Sequence, residues 1–113
     1  TGEGKSEGLN INVHLDCGSK DIDMLSSWDK KLLPAVHKFE PDLVLISAGF
    51  DSRKDDLLGC FDVTDDAFVK MTKTAMSIAD EFCAGRLVSL LEGGYNVDGQ
   101  ARAVEAHVGT LVD

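Results

Sequence analysis

The sequence predicts an α/β fold built as βαβαβα, and three observations carry that expectation. Residues 42–47 (DLVLIS) and 86–91 (RLVSLL) are short, nearly continuous apolar runs that end in glycine-containing turns, the pattern of parallel strands buried on both faces. Residues 10–15 (NINVHL) alternate polar and apolar side chains, which suits a half-buried strand. Segments of helical periodicity separate the three, and helical crossovers join parallel strands through right-handed connections.

The first helical segment covers 22–39, where Leu25, Trp28, Leu32, Leu33, Val36 and Phe39 recur at near-helical spacing. Pro34 lacks an amide proton, so it should kink this helix or begin a second one, and Pro41 marks its stop. The next helix is expected after Thr64, a favoured N-cap residue, with Asp65 and Asp66 where the helix dipole favours negative charge. Its expected core face is Phe68, Met71, Ala75, Ile78, Ala79 and Phe82, and Gly85 is its stop. A last helix is expected over 100–111, packing through Val104, Val108 and Leu111. No repeat or linker divides the 113 residues, so a single unit is expected.

A formal net charge of −9 argues against direct nucleic-acid binding, which needs a basic face. The apolar runs are far too short to cross a bilayer, so no membrane partner is expected. The chain opens at Thr1 without a charged, apolar leader, which suits an internal or processed start and an intracellular address, cytoplasmic or nuclear. Cys17, Cys60 and Cys83 are odd in number and form no CxxC pair. They read as reduced thiols, not as a disulfide frame or a sulfur-ligated metal site.

Parallel strands end on one edge of their sheet, and ligands bind beyond those carboxyl ends. After 42–47 comes Ala48-Gly49-Phe50-Asp51, and after 86–91 comes Glu92-Gly93-Gly94-Tyr95-Asn96. Asp51 and Tyr95 should therefore share one rim, with paired glycines that let backbone approach a ligand closely. Taken singly, an aspartate after a strand is most often a turn or cap residue, and such a tyrosine most often packs with a satisfied hydroxyl. Their common edge makes them a candidate site. Gly4-Lys5-Ser6 resembles the end of a phosphate-binding loop but leads into a strand and lacks the upstream glycine. His14, His37 and His107 have no i,i+4 spacing and are not expected to bind metal; His14 falls in the first strand and the others in helices.

The segments PDLVLISAGFDSRKDDLLG and GRLVSLLEGGYN resemble the two late signature segments of the histone deacetylases and of bacterial acetoin-utilisation and acetylpolyamine deacetylases. The entry GEGKSEGLNINVHLDCGSKD is similar to the loop and strand before them, and the LEGGYN form is closer to the class II and bacterial branch. The resemblance implies the C-terminal portion, residues 1–113, of one arginase/deacetylase-like catalytic domain with an open parallel sheet flanked by helices. It implies a zinc-binding role for Asp51, an oxyanion-stabilising role for the Tyr95 hydroxyl, and an acyl-lysine channel lined by Gly93, Gly94 and the apolar Leu58. Leu58 leans toward acetyl-lysine peptides, since acetylpolyamine-selective relatives are expected to carry glutamate there. The chain departs from the family at Leu57, where a proline is usual, and keeps the turn's acidic residue as Asp56, for which a structural role is expected.

The implied reaction is zinc-assisted hydrolysis of an acetyl amide on histone or other protein substrates. A catalytic zinc uses three protein ligands, and this chain offers Asp51 alone, with no DxH segment and no HH pair. The upstream part of the same domain is thus an expected partner, together with an acetylated lysine peptide. The chain by itself is expected to hold zinc weakly and to be inactive. The competing expectation is a non-catalytic, deacetylase-like interaction or structural module. Another metallohydrolase on the related arginase-like fold leaves the paired glycines and tyrosine unexplained.

Overall fold

Two parallel strands, β1 (Val44–Ala48) and β2 (Leu87–Leu91), form the sheet in the computed structural model, which describes residues 1–113. They pair from Val44 opposite Leu87 to Ala48 opposite Leu91, so both carboxyl ends reach the same edge. The α/β architecture is the expected one. Residues 10–15 form no strand, because their alternation defines two faces but supplies no neighbouring backbone to pair with. Instead Ile11, Val13 and Leu15 line a groove with Trp28, Leu32 and Phe61.

The helical segment 22–39 resolves into α1 (Asp21–Ser27), a π-helical turn (Trp28–Leu32) and α2 (Leu33–Phe39). Asp23 starts α1 by accepting the Lys20 amide at 2.8 Å. The π turn widens the helix just before Pro34, which has no amide proton for the α-helical ladder, and Leu33 donates instead to the Trp28 carbonyl. Glu40, at φ 53°, closes α2 in the left-handed conformation, and Pro41 follows. Phe39, expected to pack inward, is exposed at the last position of α2.

The crossover helix α3 (Asp65–Phe82) starts where expected, but Thr64 does not cap it. Its amide and hydroxyl both donate to the Asp21 carboxylate, so the side chain that would close α3 ties it to α1 instead. Ala67, Phe68, Thr72, Ala75, Ile78 and Ala79 form its buried face, while Met71 and Phe82 are half-buried flanks. The last helix, α4 (Val97–Val112), begins three residues before the expected start, because Asn96 caps it by accepting the Gly99 amide at 3.0 Å. Its fully buried residues are Gly99, Ala103 and His107; of the expected stripe, Val104 packs against the core and Leu111 is half-buried, whereas Val108 is exposed.

The core joins Ala48, Phe50, Val63, Ala67, Phe68 and Ala103, with the Phe50 and Phe68 rings edge-to-face at 5.1 Å. It lies on one face of the sheet only. Val44, Ile46 and Ala48 turn inward, whereas Leu45 is 68% exposed and Leu43, Val88 and Leu90 are also exposed on the opposite face. Strands apolar on both faces need two covering layers, and here one is present.

Cys17 and Cys60 form a disulfide, against the expectation of reduced thiols. A parallel bridge between Lys20 and Asp62, and the Gly18 amide bonded to the Cys60 carbonyl at 2.7 Å, bring the two loops together. No spacing rule could register that meeting. Cys83 alone is a free thiol, buried and bonded to the Pro41 carbonyl.

His107 is buried between two hydroxyls. Thr72 Oγ1 donates to the Phe68 carbonyl at 2.6 Å, which leaves its oxygen to accept from His107 Nδ1 at 2.7 Å. Nε2 lies 2.8 Å from the Ser89 hydroxyl, which donates to it when the imidazole is neutral with its proton on Nδ1. Burial holds its pKa below the ordinary 6.5. Below that pH the unfolded chain takes up a proton that the folded imidazole refuses, so stability should decline as pH falls from about 6.5 toward the depressed value. Denaturation of the parent and of His107→Gln across pH 5–7 checks this; parallel profiles would refute the neutral, buried imidazole.

Candidate active site

Each strand feeds a loop into the carboxyl edge of the sheet. The loop after β1 carries Asp51 and the loop after β2 carries Gly93, Gly94 and Tyr95. Four bonds hold the loops side by side: Glu92 amide to Ala48 carbonyl at 3.0 Å, Phe50 amide to Gly93 carbonyl at 2.7 Å, Asn96 Nδ2 to Asp55 carbonyl at 2.9 Å, and Tyr95 amide to Asp56 Oδ1 at 2.7 Å.

Gly93 is the pivot. A β-carbon there would stand 3.1 Å from Asp51 Oδ2 and 3.5 Å from Tyr95 Oη, so the carboxylate and the phenol flank the space that its missing side chain leaves. Gly49 plays a similar part, with its β-carbon position 3.2 Å from Asp51 Oδ1. Asp51 is exposed and Tyr95 is 48% exposed, so both polar groups face solvent at the rim. Gly94 is different: at φ +143° it takes a conformation that L side chains rarely adopt, and its open side is filled by Gln100 of α4. Leu58 is 74% exposed and stands out from the loop, with no partner in the core.

Arg53 was not singled out from the sequence, whereas Asp56 was expected to have a structural role. Arg53 is buried and grips Asp65, at the start of α3, through Nε at 2.7 Å and Nη2 at 3.0 Å. That contact raises the guanidinium pKa and holds the Asp65 carboxyl below its ordinary value. Arg53 Nη1 lies 2.9 Å from where a β-carbon on Gly99 would sit, so a larger residue there would push against the guanidinium. Asp56 accepts the Leu58 and Gly59 amides on Oδ2 at 2.9 and 2.8 Å, and the Tyr95 amide on Oδ1 at 2.7 Å. The Tyr95 amide, followed by the loop amides, stabilises its charged form and lowers its pKa. An aspartate within a turn was a visible signal; its reach across to Tyr95 was not.

This arrangement defines a parallel α/β protein with a carboxylate and a phenol gathered at the carboxyl edge of its sheet. The histone deacetylase domain family matches residues 1–111, and the chain belongs to that family. It is 44% identical over 115 residues to Histone deacetylase 5 of Arabidopsis thaliana, covering 99% of this chain and 16% of that protein. It is 39% identical over 108 residues to Histone deacetylase 6 of Caenorhabditis elegans, covering 93% of this chain and 11% of that one. Among solved structures, the HDA15 HD domain superposes with a TM-score of 0.76 at 35% identity, over 85% of this chain and 26% of that one. The histone deacetylase Clr3 gives 0.77 at 31% identity, over 86% and 16%. The chain thus spans a minor part of each of these relatives.

Proposed function

We propose that residues 1–113 are the C-terminal part of one zinc-dependent deacetylase catalytic domain, which hydrolyses the acetyl amide of acetyl-lysine in histone or other proteins. The observation that carries this reading is the meeting of the Asp51 carboxylate and the Tyr95 hydroxyl around Gly93. Asp51 serves as a metal ligand, Tyr95 as the hydrogen-bond donor to the amide oxygen, and Gly93, Gly94 and Leu58 as walls of the acyl-lysine channel. The bare sheet face of Leu43, Leu45, Val88 and Leu90 supports the domain assignment, because it calls for a covering layer from the rest of that domain. The partners in this reading are that upstream part and an acetylated peptide, with no nucleic acid or membrane, at an intracellular address. No helix is long and apolar enough to cross a membrane.

The donor set on this chain does not fit a catalytic zinc by itself. No three His, Cys, Asp or Glu side chains come together, and such a site takes three protein ligands. Asp51 suits one of the three, and the other two ligands belong to the upstream part. Bound zinc supplies Lewis-acid polarisation and an acidified water. The part played by this chain is to present a carboxylate at the metal's position and to aim a phenol proton at the oxygen that gains charge.

The incomplete donor set also favours a second reading, a non-catalytic deacetylase-like interaction or structural module. Metal analysis and acetyl-lysine peptide hydrolysis separate the two. The 113-residue chain should bind no stoichiometric zinc and hydrolyse nothing, whereas the complete domain should do both and lose zinc on Asp51→Ala. A complete domain that keeps its zinc after Asp51→Ala would overturn the ligand assignment.

A further inference from the structure

Asp56 joins the two loops of the site through one carboxylate. Oδ2 holds the Leu58 and Gly59 amides of its own loop, and Oδ1 reaches across 39 residues of sequence to the Tyr95 amide at 2.7 Å. Asp55 reinforces the crossing: at φ 69° its carbonyl receives Asn96 Nδ2, and Asn96 in turn caps α4. Tyr95 follows Gly93 and Gly94, which leave the backbone before it little steric restraint. Without an anchor on its own amide, the phenol would share the freedom of those glycines.

We propose that Asp56 is a positioning residue that sets the Tyr95 hydroxyl relative to Asp51 by fixing the Tyr95 backbone. This rests on the deacetylase reading and adds a residue to it. A carboxylate is required, not merely a polar side chain, because both oxygens face donors only. Asparagine has nearly the same shape but must turn its NH2 toward the Tyr95 amide or toward the Leu58 and Gly59 amides. One side of the clamp is then lost.

The test has two arms. In the 113-residue chain, amide hydrogen exchange at Tyr95 or at Leu58 and Gly59 should accelerate in Asp56→Asn, while the Phe50 amide, held by the Gly93 carbonyl, keeps its protection. Unchanged exchange at all three overturns the clamp, and loss of protection at Phe50 as well marks general unfolding and overturns the specific role. In the complete zinc-loaded domain, Asp56→Asn should lower kcat about tenfold to a hundredfold, with zinc content kept and KM within about twofold. In a Tyr95→Phe background the same substitution should cost little more, since Asp56 acts through the hydroxyl already removed. Fully additive losses, or loss of zinc in Asp56→Asn, overturn the proposal. Normal activity in Tyr95→Phe alone sinks the deacetylase role of the tyrosine instead, and the exchange arm still decides whether Asp56 holds its backbone.

Discussion

Tyr95→Phe should lower kcat for acetyl-lysine hydrolysis by the complete domain about a hundredfold to a thousandfold, the usual cost of removing one oxyanion donor. The substitution deletes a single oxygen. The backbone of residue 95 still donates to Asp56, the ring keeps its place beside Gly93, and Asp51 is untouched. Zinc content and KM should therefore stay near the parent's. A donor that tightens only as charge develops on the substrate oxygen acts on kcat, so the loss should fall there and equally on kcat/KM. Steady-state kinetics with metal analysis reads both, and a Tyr95→Phe enzyme as active as the parent would remove the phenol from the mechanism.

The second large effect is expected at Gly59. An added β-carbon would lie 1.7 Å from the Asp51 carbonyl oxygen and 2.9 Å from its carbon. The obstacle is backbone, which cannot rotate away as a side chain can, so the loop that carries Asp51 must move. Gly59→Ala should destabilise the chain by about 1–3 kcal/mol, the range for overpacking. In the complete domain it should also weaken zinc binding by displacing the carboxylate. Gly109→Ala is the matched control, because nothing lies within 4 Å of a β-carbon there and the site is within α4. It should gain about 0.5–1 kcal/mol, as alanine does over glycine in a helix interior. Urea denaturation of both variants checks the contrast, and equal stability would refute the close approach at Gly59.

What the sequence made legible follows the range of the forces involved. Both sheet strands were readable because an apolar run and the glycines after it lie next to each other in the chain. Asp51 and Tyr95 were readable for the same reason, each set by a loop directly after a strand. Residues 10–15 were not, since a strand also needs a partner that alternation cannot name. Thr64 has the residue type of a cap, yet Asp21 takes its hydroxyl from a distant part of the chain. The roles of Arg53 and Gly59 carry no local signal: one acts through a helix start twelve residues on, the other through a backbone contact across its loop. His107 was placed correctly in a helix, but the two hydroxyls that fix its proton come from α3 and β2.

The Cys17–Cys60 bond divides the chain into topologically unequal parts. It closes a covalent ring that contains α1, α2, β1 and Asp51, while α3, β2, Tyr95 and α4 hang outside it as a tail. A single proteolytic nick inside the ring leaves both pieces attached until the disulfide is reduced, whereas a nick between Cys60 and Tyr95 severs the two halves of the site outright. After that second cut, Asp51 and Tyr95 belong to different covalent bodies. What keeps them facing each other after such a cut is non-covalent alone: strand pairing, helix packing, and the bonds from Phe50 to Gly93 and from Tyr95 to Asp56.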